Sequence, residues 1–184
     1  MKRTPVICLL VLAIILPYLG LWWMHHWYED KMSKYERAAF IIADKQKMSL
    51  SVYDLDGSCL DSFPMGCGKA LGDKVEKGDN RTPEGIFRIS DIQESSNWKH
   101  DFADGKGEIT GAYGPWFIRL STEPHKGIGI HGTHLPNSIG TRCTEGCIRL
   151  RNQDIAKLKD YAYCGLNVII LPSEQDIIAN NQKN

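Results

Sequence analysis

Between Ile128 and Leu150 the chain reads IGIHGTHLPNSIGTRCTEGCIRL, and no other stretch constrains the fold as much. It opens on an apolar strand pattern that ends at His131, and a second short apolar run follows Cys147. Sixteen positions separate His131 from Cys147, a loop able to bring two strand ends together at modest closure cost. A thiol is a good nucleophile only as thiolate, and an imidazole within hydrogen-bond reach can take its proton. Cys147 and His131 are therefore the candidate nucleophile and base, against the plainer reading of Cys147 as a buried structural thiol. Gly146 allows two readings. Its N–H and that of Cys147 could approach a substrate carbonyl as an oxyanion hole, or the glycine could simply supply a positive-φ turn.

The residues in order are Ile130-His131-Gly132-Thr133, then Thr144-Glu145-Gly146-Cys147-Ile148-Arg149-Leu150. Upstream stands Arg81-Thr82-Pro83-Glu84-Gly85-Ile86-Phe87. Together these resemble the L,D-transpeptidases, cysteine enzymes that cross-link or trim peptidoglycan. The likeness covers roughly Phe40 to Pro172. It implies a mostly-β domain, β-sandwich-like, with a helix packed on it. It also implies acyl transfer on stem peptides through a Cys147 thioester, with His131 alternating as base and acid. The third group would be a main-chain carbonyl, that of Gly132, which orients the imidazole. The reaction needs neither a metal nor an organic cofactor. Many members carry a second His just before the Gly, and here Glu145 stands in its place. The same thioester could pass to water instead, which would make the protein an L,D-carboxypeptidase or a hydrolase that detaches a protein from the wall.

The flanking residues are open. Arg149 could hold a stem-peptide carboxylate in a bidentate fork, or bond loop carbonyls. Thr144 could bond the Cys147 loop or His131, or only stabilise a turn. His134 reads as a loop residue. Glu145 disfavours a nearby thiolate, so it points to solvent or meets a cationic group of the substrate. A different class of protein also fits the stretch. His131, His134, Cys143 and Cys147 could close a structural zinc site in a binding module.

Formal charge is +0, which gives no reason to expect a nucleic-acid partner. Pro5 to Trp23 is 19 positions without a charge, behind Lys2 and Arg3 and ahead of Trp27 and Tyr28. That is the pattern of an N-terminal membrane anchor over residues 1–27, with a cleaved signal peptide as the rival. Either way the remainder is placed outside the cytoplasm, in the cell envelope. Without Lys2 and Arg3 the count is 20 basic against 22 acidic side chains, net −2, an ordinary soluble surface. Export permits disulfides. With Cys147 as nucleophile, Cys59, Cys67, Cys143 and Cys164 could form up to two bridges or remain buried thiols.

A linker helix is expected over residues 28–39, the catalytic domain over 40–172, and a polar, fraying tail over 173–184. Strand patterns occur at 40–43, 48–53, 58–68 (interrupted by Pro64), 85–92, 116–120, 128–131 and 168–171. Asp56-Gly57 marks a hairpin turn. Residues 69–83 read as a loop, and 91–111 as a surface insertion, either a substrate-facing lid or a solvated loop. One helix is expected, capped by Asn152, apolar at Ile155, Leu158 and Ala162, and closed by Gly165.

Overall fold

The computed structural model describes residues 15–27, 38–102, 105 and 107–182. The chain divides into two compact units, Met1–Glu36 and Arg37–Asn184. In the first, residues 15–27 form a helix, α1, whose Trp22, Trp23 and Trp27 are exposed. At ~1.5 Å per residue the described residues of this helix extend ~20 Å, against ~30 Å of bilayer hydrocarbon. Among the described residues no helix is long and apolar enough to cross a membrane. Residues 1–14 of the expected anchor, and 28–37 of the expected linker helix, lie outside the described residues. Ala38 and Ala39 are not helical, and the Ala39 N–H already donates to the Tyr53 carbonyl at 2.7 Å.

The second unit is mostly β. Its strands are β1 (Phe40–Asp44), β2 (Ser49–Tyr53), β3 (Cys59–Pro64), β4 (Cys67–Gly68), β5 (Gly85–Glu94) and β6 (Lys99–Asp101), then β7 (Glu108–Thr110), β8 (Trp116–Ser121), β9 (Gly129–His131), β10 (Arg142–Thr144), β11 (Ile148–Arg149) and β12 (Asn167–Leu171). Two helices join them, α2 (Asn152–Lys159) and α3 (Glu174–Asn181). Eight strands form one sheet in the order β11-β9-β8-β5-β12-β1-β2-β3, and β10-β4 and β6-β7 are separate pairs. The β1–β12 and β9–β11 pairings are parallel, and the other pairs of the large sheet are antiparallel.

Alternation decides which face is buried. Ile41 and Ala43 of β1 stand opposite Val52 and Leu50 of β2, and all four are buried. Asp44 turns the chain between them, its carboxylate accepting from the Gln46 and Lys47 N–H groups. Pro64 ends β3 where its missing N–H was expected to interrupt the strand. The sheet then curls until its edges meet. The Gly66 N–H donates to the Arg149 carbonyl at 2.8 Å, and the Arg149 N–H returns the bond at 2.9 Å. Only a glycine fits there, because a Cβ on Gly66 would meet Cys143 Sγ at 2.7 Å. Inside the curl a single cluster gathers side chains from all eight strands, with Ile155 and Leu158 of α2 packed among them. Each large aliphatic buried in this way stabilises the fold by roughly 1.5–3 kcal/mol.

Local structure settles several points that the sequence left open or read differently. The polar tail over 173–184 does not fray through its length, because α3 occupies most of it. Ser173 caps α3 by accepting from the Asp176 N–H, and Asp176 completes a capping box. Asn152 is the first residue of α2 and Arg151 holds the cap position, with no side-chain cap bond. The helix ends at Lys159, well short of Gly165, whose N–H instead donates to the Ile89 carbonyl at 2.8 Å. The insertion at 91–111 is partly ordered by the β6–β7 hairpin. Cys59, Cys67, Cys143, Cys147 and Cys164 are all free thiols, so neither bridge forms.

Candidate active site

The parallel pairing of β9 and β11 places Arg149 opposite His131. The loop from Gly132 to Gly146 closes over that pairing, so the two ends of the motif become neighbours in one cavity of about 890 Å³. Cys147, His131, Arg149, Thr144 and Glu145 all line it.

His131 is 2% exposed. Its Nδ1–H donates to the Gly132 carbonyl at 2.6 Å, which leaves Nε2 as the nitrogen able to accept a proton. The ring stacks parallel to Phe117 at 5.6 Å and meets Tyr113 edge-on at 4.9 Å. Burial drives the His131 pKa down to about 3, with the Gly132 bond opposing and the Arg149 charge assisting. Burial pushes the Cys147 thiol up to about 11, although a backbone bond from Gly129 and the Arg149 charge favour the thiolate. Both groups are therefore neutral at rest. Cys147 Sγ rests 3.5 Å from the Gly127 carbonyl. Burial also pushes the Tyr113 phenol up to about 12.

The turn before Cys147 is closed by Thr144. Its hydroxyl donates to the Cys147 carbonyl at 2.6 Å and accepts from the Gly146 N–H at 3.2 Å. The Gly146 N–H is thus engaged within the turn. Gly146 also serves for shape. Its φ is +136°, and a Cβ there would meet the Arg81 carbonyl at 2.8 Å. The Arg81 backbone of the upstream Arg81-Thr82-Pro83 element thus lies close against the turn before Cys147.

Arg149 is buried. Its Nη1 donates to Ser138 Oγ at 3.1 Å, its guanidinium lies 5.9 Å from the Phe102 ring centroid, and its Nε has no partner. His134 is a loop residue bonded through Nδ1 to the Ala112 carbonyl at 3.3 Å. Glu145 is exposed, as one of its two sequence readings had it, and its Oε2 lies 3.1 Å from His100 Nε2 on β6. The zinc reading finds no support in this geometry. Among the described residues no three of His, Cys, Asp or Glu gather as a metal group. His131 and His134 bond different carbonyls, and Cys143 Sγ packs against Gly66.

Residues 38–170 match the L,D-transpeptidase catalytic domain, YkuD. The chain belongs to the L,D-transpeptidase catalytic domain family. A Bacillus licheniformis relative of this family, named for L,D-transpeptidase YkuD, is 30% identical over 124 residues, or 67% of this chain and 60% of the relative. ErfK/SrfK of Escherichia coli, named for the same activity, is 29% identical over 147 residues, or 71% of this chain and 43% of the relative. The chain thus spans less than two thirds of the length of these relatives. Among solved structures, the catalytic domain of the Enterococcus faecium L,D-transpeptidase superposes with a TM-score of 0.54 at 20% identity. It covers 74% of this chain and 98% of that one, a likeness of fold.

Within the L,D-transpeptidase fold, several residues around His131 and the cavity escaped the sequence reading. Asn152, expected as a helix cap, accepts from the Thr133 N–H at 2.7 Å through Oδ1 and so holds the segment that follows His131. Tyr113 and Phe117 clamp the imidazole, and His100 and Phe102 reach the cavity from the insertion. The signal available for these was the run of aromatics Trp98, Phe102, Tyr113 and Phe117, which is unusual for a solvated loop.

Proposed function

We propose that this chain is a cysteine L,D-transpeptidase of the cell envelope, acting on peptidoglycan stem peptides. The single observation that carries the reading is that Cys147 and His131 line one cavity, with His131 Nδ1 fixed on the Gly132 carbonyl. That bond sets the tautomer in which Nε2 is free to take a proton.

Cys147 Sγ loses its proton to His131 as it attacks an amide carbonyl of the donor stem. The Cys147 N–H stabilises the oxyanion, with the Thr144 hydroxyl bond to the Cys147 carbonyl keeping that peptide oriented. Collapse gives the thioester, and His131 returns the proton to the departing amine. Gly146 supplies the turn. Arg149 serves a carboxylate of the stem peptide, because its Nε is unpartnered at a cavity wall while Ser138 holds one Nη.

The test is chromatography of the products formed by the full chain on purified stem peptides, beside Cys147→Ala. A cross-linked product absent from the mutant supports the reading. Shortened peptides alone, also dependent on Cys147, assign the chain to the hydrolases. The reading also includes anchoring through residues 1–27, supported by their uncharged apolar run and the exposed tryptophans of α1. Recovery of the full chain in the alkaline-washed membrane fraction is the expected result, and its release into the supernatant would remove the anchor from the account.

A further inference from the structure

Two features of the cavity have no part in the scheme above. Among the described residues that line it, Glu145 is the sole acid, in company with Lys74, Lys77, Lys126 and Arg149. It is bonded to His100, which belongs to a hairpin remote in sequence from the motif. The His100 ring packs edge-on to Phe102 at 4.5 Å and against Tyr113 at 5.5 Å, and Tyr113 in turn touches His131. A continuous layer of rings thus runs from the catalytic imidazole to a second imidazole held by a carboxylate.

Counting protons suggests what a second imidazole could do. An acceptor amine arrives as R–NH3+ and leaves as an amide nitrogen that keeps one proton, so two must be removed. The C–N bond forms, the C–S bond breaks, and its electron pair returns to sulfur. His131 delivers one proton to Cys147 Sγ. The other needs a separate acceptor, and His131, with its pKa driven down to about 3, is poorly suited to hold a second. Water differs: it brings two protons, the acid product keeps one, and His131 handles the other unaided.

We propose that His100, oriented by Glu145, is a second base that takes the extra proton of the acceptor ammonium, and so directs the thioester toward an amine rather than water. The pairing of Nε2 with Glu145 makes Nδ1 the nitrogen that receives the proton. Among the described residues, the titratable groups nearest the ring besides Glu145 include Tyr113, with His131 beyond it across the ring layer, and Lys99, Asp101 and Glu108 stand at neighbouring positions of the hairpin. The inference rests on the proposed thioester chemistry and assigns its acceptor side.

The experiment compares two nucleophiles on the full chain acylated with a donor stem peptide. One is an amino-acid amine, protonated at neutral pH. The other is hydroxylamine, which is largely uncharged there and carries no extra proton. The ratio of amide to hydroxamate product is measured for the wild type, His100→Gln and Glu145→Gln. The ratio is expected to fall by about a hundredfold in His100→Gln, the scale of a lost general base, and to fall in the nearly isosteric Glu145→Gln as well. An unchanged ratio in both variants overturns the proposal. If the wild type yields neither product, the thioester reading itself fails, and the second base falls with it.

Discussion

Two regions of the molecule bury polar groups and treat them in opposite ways. Around Asp176 they are kept charged. Lys45 is wholly buried, with its Nζ 2.6 Å from Glu84 and 3.3 Å from Asp176, and Arg142 meets the same Asp176 oxygen at 2.6 Å. Burial pushes the Asp176 carboxyl up, but bonds from Ser173, the Gly72 N–H and Arg142 outweigh it and hold the group well below the usual carboxylate range. Around Cys147 the groups are kept neutral: the same force, burial, lifts the thiol and depresses the imidazole with few bonds to oppose it. The first region joins α3 to β1 and to the base of the β10 loop, and nearly every donor has a partner. The second leaves the Arg149 Nε, and His134 Nε2 in the loop after His131, without one. A buried cluster with its hydrogen bonds satisfied gives a rigid framework, whereas reactive groups must be left underbonded.

The contrast predicts a clean division between mutants. Cys147→Ala should lower acyl transfer by on the order of 10⁴-fold or more, with the urea midpoint of unfolding almost unmoved. Asp176→Ala should do the reverse. It leaves Lys45 and Arg142 buried without their shared carboxylate, and a loss of about 3–5 kcal/mol is expected by urea denaturation, with acyl transfer per folded molecule preserved. A catalytic defect larger than the loss of folded protein would show that the two regions are coupled.

Acid should separate the regions by pH window. His131 has a folded pKa far below its unfolded value of about 6.5, so the unfolded chain binds more protons. Stability from that group is complete above about pH 6.5 and is lost as pH falls toward 3. Asp176, depressed from about 3.9, contributes above that value and loses its stabilisation only at lower pH. Thermal melts should therefore show a first decline between about pH 6.5 and 4, and His131→Asn should remove it. A decline that begins only below pH 4 would mean His131 is not held neutral by burial.

The smallest effect is expected at Asn152. Asn152→Ala removes the bond to the Thr133 N–H and loosens the segment after His131, at a cost of about 1 kcal/mol in stability and roughly tenfold in turnover. An effect on stability alone would make Asn152 part of the framework rather than a support for the site.

The legibility of the two regions also differs. His131, Gly132, Thr144, Gly146, Cys147 and Arg149 lie in one short stretch whose loop is short enough to bring its ends together, while the parallel β9–β11 pairing that does so is visible only in the fold. The mostly-β class and most strands could be read from alternation in the same way. The Asp176 region could not, because Lys45, Glu84, Arg142 and Asp176 are scattered along the chain and look like ordinary surface charges until the sheet closes. Ser173 and Asp176 do carry the spacing of a capping box, a local signal hidden within a polar tail. Asn152 misled for a related reason: an Asn ahead of a helical pattern is a good cap by propensity, but a tertiary partner, the Thr133 N–H, claimed its side chain. The hydrogen bond from the Gly146 N–H to Thr144 likewise depends on turn geometry that motif spacing does not contain.

The most direct test of the account is intact-mass analysis of the full chain after brief exposure to a donor stem peptide, followed by peptide mapping. A single acyl adduct on Cys147, absent from Cys147→Ala and discharged by an added amine, is the predicted result. An adduct on Cys143, or turnover that persists in Cys147→Ala, would contradict it.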